Sequence, residues 1–176
     1  MNKNFTLTLL IAAAMIGFSM SANAQTQASV VTNAEVILPI SVAGETPLDF
    51  GSIVVTGTAG TVSVDIDGAR TSTDNGMIVS TGGVTAGQFK VTGQPDYTYS
   101  LNLPTAAFDL TNSADASTMS VDNFVSTLTA TNDIGTLSSA DGTQIVKVGA
   151  DLSVGTTQTA GVYTSADGFQ VTVQYN

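Results

Sequence analysis

The sequence contains no cysteine and no histidine. Histidine is the commonest general base, and together with cysteine it supplies most zinc and transition-metal ligands. A serine nucleophile would also lack the histidine that normally activates it. The residue types on which most hydrolytic, redox and zinc chemistry depends are therefore missing. We expect a protein that is not an enzyme, that holds no cofactor or metal, and that relies on its core and its sheet ladders rather than on disulfides.

Positive charge is also scarce. Four Lys and Arg residues stand against fourteen Asp and Glu residues, for a net charge of −10. A surface of this charge repels phosphate backbones and anionic membrane surfaces, which excludes nucleic acid as an expected partner. The acidic residues are scattered singly, so the pattern favours solubility over one acidic docking patch.

Long hydrophobic runs are absent beyond the N-terminus. Residues 9–18 are uncharged and mostly apolar, they follow Lys3, and the Ala-Asn-Ala at 22–24 is a typical cleavage pattern. The run is shorter than the roughly 20 residues that a membrane-spanning helix needs. The sequence therefore predicts a secretory signal peptide over 1–24. The mature chain, 25–176, is expected not to insert into a membrane after cleavage.

The chain ends in a strict alternation of apolar and polar residues. Phe169, Val171, Val173 and Tyr175 fall on one face, and polar residues lie between them. A period of two predicts a β-strand with one face in a core and one in water. We expect these four side chains to face the core. As a terminal strand it also needs a neighbour, because an unpaired edge promotes aggregation.

The same period recurs along the mature chain between turn dipeptides such as Asp67-Gly68 and Asn75-Gly76. No segment sustains a helical period, so roughly eight to ten short strands are expected. This pattern is typical of one all-β domain, an antiparallel sandwich or barrel. We place strands at 48–55, 61–67, 97–103 and 144–154, and a bulge or helical turn within 119–128. A loop with a short contact at 108–110 is expected at 107–116, and an exposed hairpin or loop at 129–142.

A second alternation begins near the mature N-terminus, at Val30, and places Val36, Leu38 and Ile40 on one face. Pro39 lies on the other face and removes one ladder donor, so a strand here belongs at a sheet edge or bends. Residues 25–42 therefore form either an edge strand of their own sheet or a donor strand for another chain.

Three groups of residues allow a functional interpretation beside a structural one. The Asp-Ile-Asp-Gly at 65–68 resembles the start of a calcium loop, but the later oxygen ligands are missing and a turn at a strand end is favoured. Glu35 and Glu45 are the only glutamates, and nothing marks them as a glycosidase pair. Sugar stacking is the alternative to packing at the core or rim for the tyrosines, Tyr97, Tyr99, Tyr163 and Tyr175.

Several short motifs occur in a characteristic order along the mature chain. They are Leu-Asp-Phe-Gly at 48–51, Gly-Thr-Val at 60–62, Phe-Lys-Val-Thr-Gly at 89–93, Tyr-Ser-Leu-Asn-Leu-Pro at 99–104, Val-Gly-Ala-Asp-Leu at 148–152, Gly-Val-Tyr at 161–163 and the closing 169–175. In this order they resemble a bacterial family of secreted single-domain β proteins of unknown function. More broadly, the chain is similar to chaperone–usher pilus subunits of the archaic, spore-coat-like type, which end in an alternating strand with a penultimate aromatic residue.

The resemblance implies an immunoglobulin-like, pilin-like sandwich that lacks one strand, which the N-terminal extension of another subunit completes. It implies an exported structural or adhesive surface protein that assembles by strand addition. Its partners would be further copies or related pilus subunits and a periplasmic chaperone. Its location would be the cell surface, the periplasm or the medium of a Gram-negative bacterium. Many such subunits carry a disulfide, and this chain has none. The alternative is a secreted monomeric carbohydrate-binding module.

Overall fold

The computed structural model describes residues 26–79 and 82–176, so the expected signal peptide lies outside the described residues. In these ranges eleven strands follow one another, all paired antiparallel, and two short 3₁₀ turns lie at Asn75–Met77 and Thr129–Thr131. The strands are β1 (Ser41–Thr46), β2 (Gly60–Val64), β3 (Arg70–Ser72), β4 (Gly87–Thr92), β5 (Thr98–Asn102), β6 (Phe108–Asn112), β7 (Thr118–Ser126), β8 (Ile134–Thr136), β9 (Thr143–Val154), β10 (Tyr163–Thr164) and β11 (Thr172–Tyr175).

The larger sheet has the order β1-β4-β9-β7-β6-β10, and β2 with β3 joins it along β9. The smaller sheet has the order β11-β5-β8. Side chains from the two sheets pack against each other, which makes the domain a sandwich. The prediction of a single antiparallel all-β domain of sandwich type is confirmed.

β9 is the central strand, and it serves both halves of the larger sheet. Its first half pairs with β4 from Thr143 to Val148, and its second half pairs with β2 from Ala150 to Val154. The predicted alternation holds, because the side chains at 146, 148, 150, 152 and 154 are all buried. Gly149 is buried as well. The carbonyl oxygen of Val64 lies so close to it that there is no room for a Cβ.

Two cores lie against β9. The first, which we call the sandwich core, is enclosed between the two sheets and consists of Val91, Tyr99, Leu101, Leu128, Leu137, Val146 and Val148. The second, which we call the strap core, lies over β2, β7 and the second half of β9. Its buried members are Phe50, Val62, Val64, Met77, Met119, Val121, Ala150, Leu152 and Val154.

Some predicted elements differ in the structure. The strand expected from Val30 begins only at Ser41, and residues 26–40 contain no strand. Residues 48–55 form two isolated bridges rather than a strand. The predicted loop at 107–116 contains β6, and the predicted hairpin or loop at 129–142 contains the short strand β8. The expected irregularity at 119–128 is a bulge in β7 between Asp122 and Val125, followed by the turn at Thr129–Thr131.

Candidate functional site

The strap core is covered by an irregular segment, residues 48–55, which we call the strap. Asp49 pairs with Thr85 and Ile53 pairs with Ile78 as isolated bridges. Between these two points the backbone turns at Gly51, where φ is +69°. A β-strand requires a negative φ, so this positive value interrupts the extended conformation. Glycine adopts it without steric cost. The alternating residues of the strap therefore cannot continue as a regular strand.

Arg70 holds the middle of the strap. Its Nη1 donates to the carbonyl oxygens of Phe50, at 2.6 Å, and Ser52, at 2.9 Å, and its Nη2 donates to that of Val79, at 2.5 Å. Hydrogen bonds from a charged donor are stronger than neutral ones. The guanidinium thus replaces the ladder hydrogen bonds that a sheet strand would have made at this place.

An apolar groove of about 1100 Å³ lies beside the strap. One wall is the strap, and the other is the segment 158–165, which includes β10. The floor is the strap core itself, contributed by Leu110, Met119, Leu152 and Val154. Core side chains therefore form the bottom of an open groove. The sandwich core differs, because the smaller sheet covers it.

The wall formed by 158–165 is held by side-chain hydrogen bonds. Gln158 Nε2 donates to the Thr118 carbonyl oxygen and to Tyr163 Oη, both at 2.9 Å. Tyr163 Oη donates to the Thr159 carbonyl oxygen at 2.7 Å. At Gly161 a Cβ would lie 2.5 Å from Nδ2 of the buried Asn112, so only glycine permits this approach. The groove thus has a second wall that is fixed by specific contacts.

Phe169 lies at the end of the groove, where it joins the two cores. Its ring meets Phe89 edge-on at 5.4 Å and lies 5.0 Å from Phe124. It is half-buried and packs against the sandwich core while also lining the groove. Phe169 therefore faces the core, and it has a place in the groove that the alternation did not indicate.

The rest of the closing segment keeps its predicted period. Val171, Val173 and Tyr175 are half-buried against the sandwich core, and the polar residues between them are exposed. The regular strand is shorter than expected, because β11 covers only Thr172–Tyr175 and pairs with β5. In the described part of the chain no strand pairs with the other edge of β11.

The predicted N-terminal pairing residues divide into two groups. Val36 is 96% exposed and Leu38 is 57% exposed, whereas Ile40 is half-buried against the sandwich core. Leu38 is fixed through its backbone: its amide donates to Gln94 Oε1 at 3.2 Å, and its carbonyl oxygen accepts from Tyr175 Oη at 2.8 Å. A side-chain hydrogen bond from Tyr175 therefore joins the closing segment to Leu38, and no ladder joins β1 to β11.

The tyrosines do not form a common surface. Tyr99 is fully buried and donates to Gln144 Oε1 at 2.8 Å, and burial raises the pKa of its hydroxyl to about 12. Tyr97 and Tyr175 meet edge-on at 5.7 Å, while Tyr163 lies in the groove wall. Tyr99 is therefore a core residue, and the other three lie at two separate places.

The candidate calcium segment at 65–68 is a turn. Asp65 Oδ1 accepts from the amides of Asp67, at 2.9 Å, and Ala69, at 2.8 Å, and Gly68 has a φ of +80°. The carboxylate thus caps the end of β2. Glu35 and Glu45 are both exposed. Across residues 26–79 and 82–176 no cluster of three or more acidic side chains is placed to hold a metal ion.

Within these same ranges no helix has the length and apolar character to cross a membrane. No curated protein and no solved structure matches the chain. One family does match, over residues 40–175, which is most of the chain and includes both cores, the strap and the groove. The chain belongs to this family, the domain of unknown function DUF4402.

Proposed function

We propose that this protein is an exported structural subunit of a surface fibre or adhesive layer, and that copies join by strand addition. Residues 26–37, which we call the arm, carry the proposal. They form no strand in their own chain, although their sequence alternates as a strand should. Val30 is 89% exposed and Val36 is 96% exposed. Apolar side chains spaced for a sheet and left in water are suited to pairing with another chain.

The two faces of an extended arm differ in chemistry. Val30, Thr32, Ala34 and Val36 alternate with Val31, Asn33 and Glu35. Only the first face is apolar enough to be buried along its whole length, since burying Glu35 without a partner would be costly. Burying one valine contributes about 1.5–3 kcal/mol before the cost of ordering the arm. The arm therefore has a defined inner face for a partner.

Export and assembly also fit the remaining features. The predicted signal peptide directs the chain out of the cytoplasm, and the resemblance to pilus subunits supplies the partners: further copies, related subunits and a periplasmic chaperone. A chaperone would shield the exposed valines of the arm until assembly. Such shielding is needed because unpaired apolar strands aggregate.

Point variants of the mature protein test this function. Val36→Asp places a carboxylate on the inner face of the arm, and Val31→Asp places the same group on the outer face. We expect mature protein and Val31→Asp to form ladders or fibres in electron micrographs and on native gels. Val36→Asp should assemble at least about tenfold less, because burying an unpaired carboxylate is strongly unfavourable.

Both variants change exposed residues, so circular dichroism and urea midpoints should match those of the mature protein. A variant lacking residues 25–37 should stay monomeric and bind an added peptide of that sequence. Mature protein that remains monomeric at high concentration, even with its secretion partners present, would contradict the proposal.

A further inference from the structure

We infer that the groove between the strap and residues 158–165 is the acceptor site for the arm of a second copy, with Val30, Ala34 and Val36 directed onto the floor of the strap core. The inference rests on the proposed function and deepens it. It places the acceptor site at the strap core and not at the free edge of β11, the other edge at which a strand could add.

The shape and chemistry of the groove suit an extended segment. Its floor is apolar, and its volume of about 1100 Å³ exceeds what one or two side chains fill. One wall contains β10, an edge strand of the larger sheet, which pairs with β6. An occupant with one apolar face would cover Leu110, Met119 and Leu152 as the smaller sheet covers the sandwich core. The groove thus takes the place of a strand.

The arm matches these requirements. Val30 to Val36 spans about 20 Å when extended, the length of an average strand. Its inner face carries small and medium side chains with no charge. Its outer face carries Glu35, which would point to water beside an acidic domain surface. The rim of the groove also contains an exposed apolar residue, Val162, which is 69% exposed.

The anchoring of Leu38 directs the arm to another copy. Both backbone groups of Leu38 are hydrogen-bonded, to Gln94 and Tyr175, and the following Pro39 disfavours a helical turn at Leu38. From Leu38 the chain covers about 20 Å, if extended, before it reaches Gly44 in β1, where the groove lining begins. To fill its own groove, the arm would have to fold back at Leu38, where the following proline disfavours a helical turn. A second copy meets no such constraint.

Disulfide trapping tests the inference, and the cysteine-free chain makes every introduced thiol unique. One mature protein carries Leu110→Cys in the groove floor, and the other carries a single cysteine in the arm, at Val30, Ala34 or Val36. The matched arm controls carry it at Val31, Asn33 or Glu35. The two proteins are mixed, assembled and oxidised, and cross-linked dimers are counted on non-reducing gels.

We expect at least one inner-face position to cross-link to the thiol of the Leu110→Cys protein about tenfold faster than its outer-face neighbours. If Leu110→Cys impairs folding, Val162→Cys on the rim replaces it. With that variant the comparison is made against Val125→Cys, which is also exposed but lies beside Asn123 and Asp151 in another depression. Val162→Cys should then be trapped and Val125→Cys should not.

Two results would overturn the inference while leaving the proposed function intact. In one, fibres form but the arm cross-links to a Gln174→Cys protein, on β11, instead of to the groove. In the other, a chain with both Val36→Cys and Leu110→Cys closes on itself as a monomer while other parts of the chain assemble. Failure of the mature protein to assemble at all would overturn both.

Discussion

The two cores of the domain share strand β9 but are covered in different ways. The sandwich core is covered by a three-stranded sheet, whose ladder sets Tyr99 and Leu101 at a regular spacing above Val146 and Val148. The strap core is covered by an irregular segment that is held at two bridges and by Arg70. A sheet covers continuously, because each strand fixes the position of the next. A segment fixed at separate points leaves the space between them open, and here that space is the groove.

The largest expected difference between the cores concerns leucine truncation. Leu137 and Leu152 are equally buried, one in each core. Leu137→Ala should lower the free energy of unfolding by about 4 kcal/mol, because it leaves a closed cavity. Leu152→Ala should lower it by only about 2–3 kcal/mol, because its cavity opens onto the groove, where the surroundings can relax. Urea unfolding measures both changes.

Val125→Ala, at an exposed site, serves as the control and should change stability by less than about 0.5 kcal/mol. Equal losses for the two leucines would show that the strap closes its core as tightly as the sheet does. If the groove accepts an arm, assembled protein should lose more from Leu152→Ala than the monomer does.

A smaller effect is expected from the strap anchor. Arg70→Gln removes charge-assisted hydrogen bonds to three carbonyl oxygens and should lower the free energy of unfolding by about 2–3 kcal/mol. Hydrogen exchange should rise at the bonded amides of the strap and its partner, at 49, 54 and 85, while the amides of β5 keep their protection. Arg70→Lys keeps the positive charge but lacks the planar guanidinium. Its free energy of unfolding should therefore lie between those of the unchanged protein and Arg70→Gln. Uniform loss of protection in both cores would mean that Arg70 does not act locally.

The smallest effect concerns alkaline pH and the sandwich core. Burial raises the pKa of Tyr99 in the folded protein to about 12, from 10.0 in an unperturbed tyrosine. The contribution of Tyr99 to stability is therefore complete below pH 10 and is lost as the pH rises through 12. At about pH 11 the loss should be about 1.4 kcal/mol. Tyr99→Phe should reduce this alkaline loss. Tyr163→Phe, in the groove wall, should not reduce it, because burial raises the pKa of the Tyr163 hydroxyl less than its side-chain hydrogen bonds lower it.

The central strand β9 and the closing strand were predictable, because their side chains alternate between apolar and polar and this alternation determines which face is buried. Val146 to Val154 and Phe169 to Tyr175 alternate strictly, and one-sided burial is the only arrangement that satisfies such a pattern. The strap was predicted as a strand because Leu48, Phe50 and Ile53 are apolar. Its irregular path depends on Gly51 and on Arg70, which lies about twenty residues away, and no local pattern reports a contact of that kind.

The groove was not predicted, because it lies between two segments that are distant in the sequence, and no local pattern indicates that they lie side by side. The nearest signal was Gly161, at the start of the Gly-Val-Tyr motif, which lies in one groove wall. The arm shows the opposite limit. Its alternation indicates a tendency to form a strand, but pairing also requires a partner edge, and among the described residues the first strand begins only at Ser41. Periodicity shows which face of a segment can be buried. Which strand it pairs with can be seen only in the three-dimensional structure.

The length of β9 has a mechanical consequence. If copies join as proposed, a fibre outside the cell would be pulled along its axis, and its cysteine-free subunits would have only hydrogen bonds and packing to resist that pull. β9 runs for twelve residues, with β4 and then β2 along one side and β7 along the other. Tension directed along such a strand shears many hydrogen bonds together, whereas tension across it would open them one after another. In the proposed fibre, the strand that joins the two cores would thus also be the element best suited to transmit force between subunits.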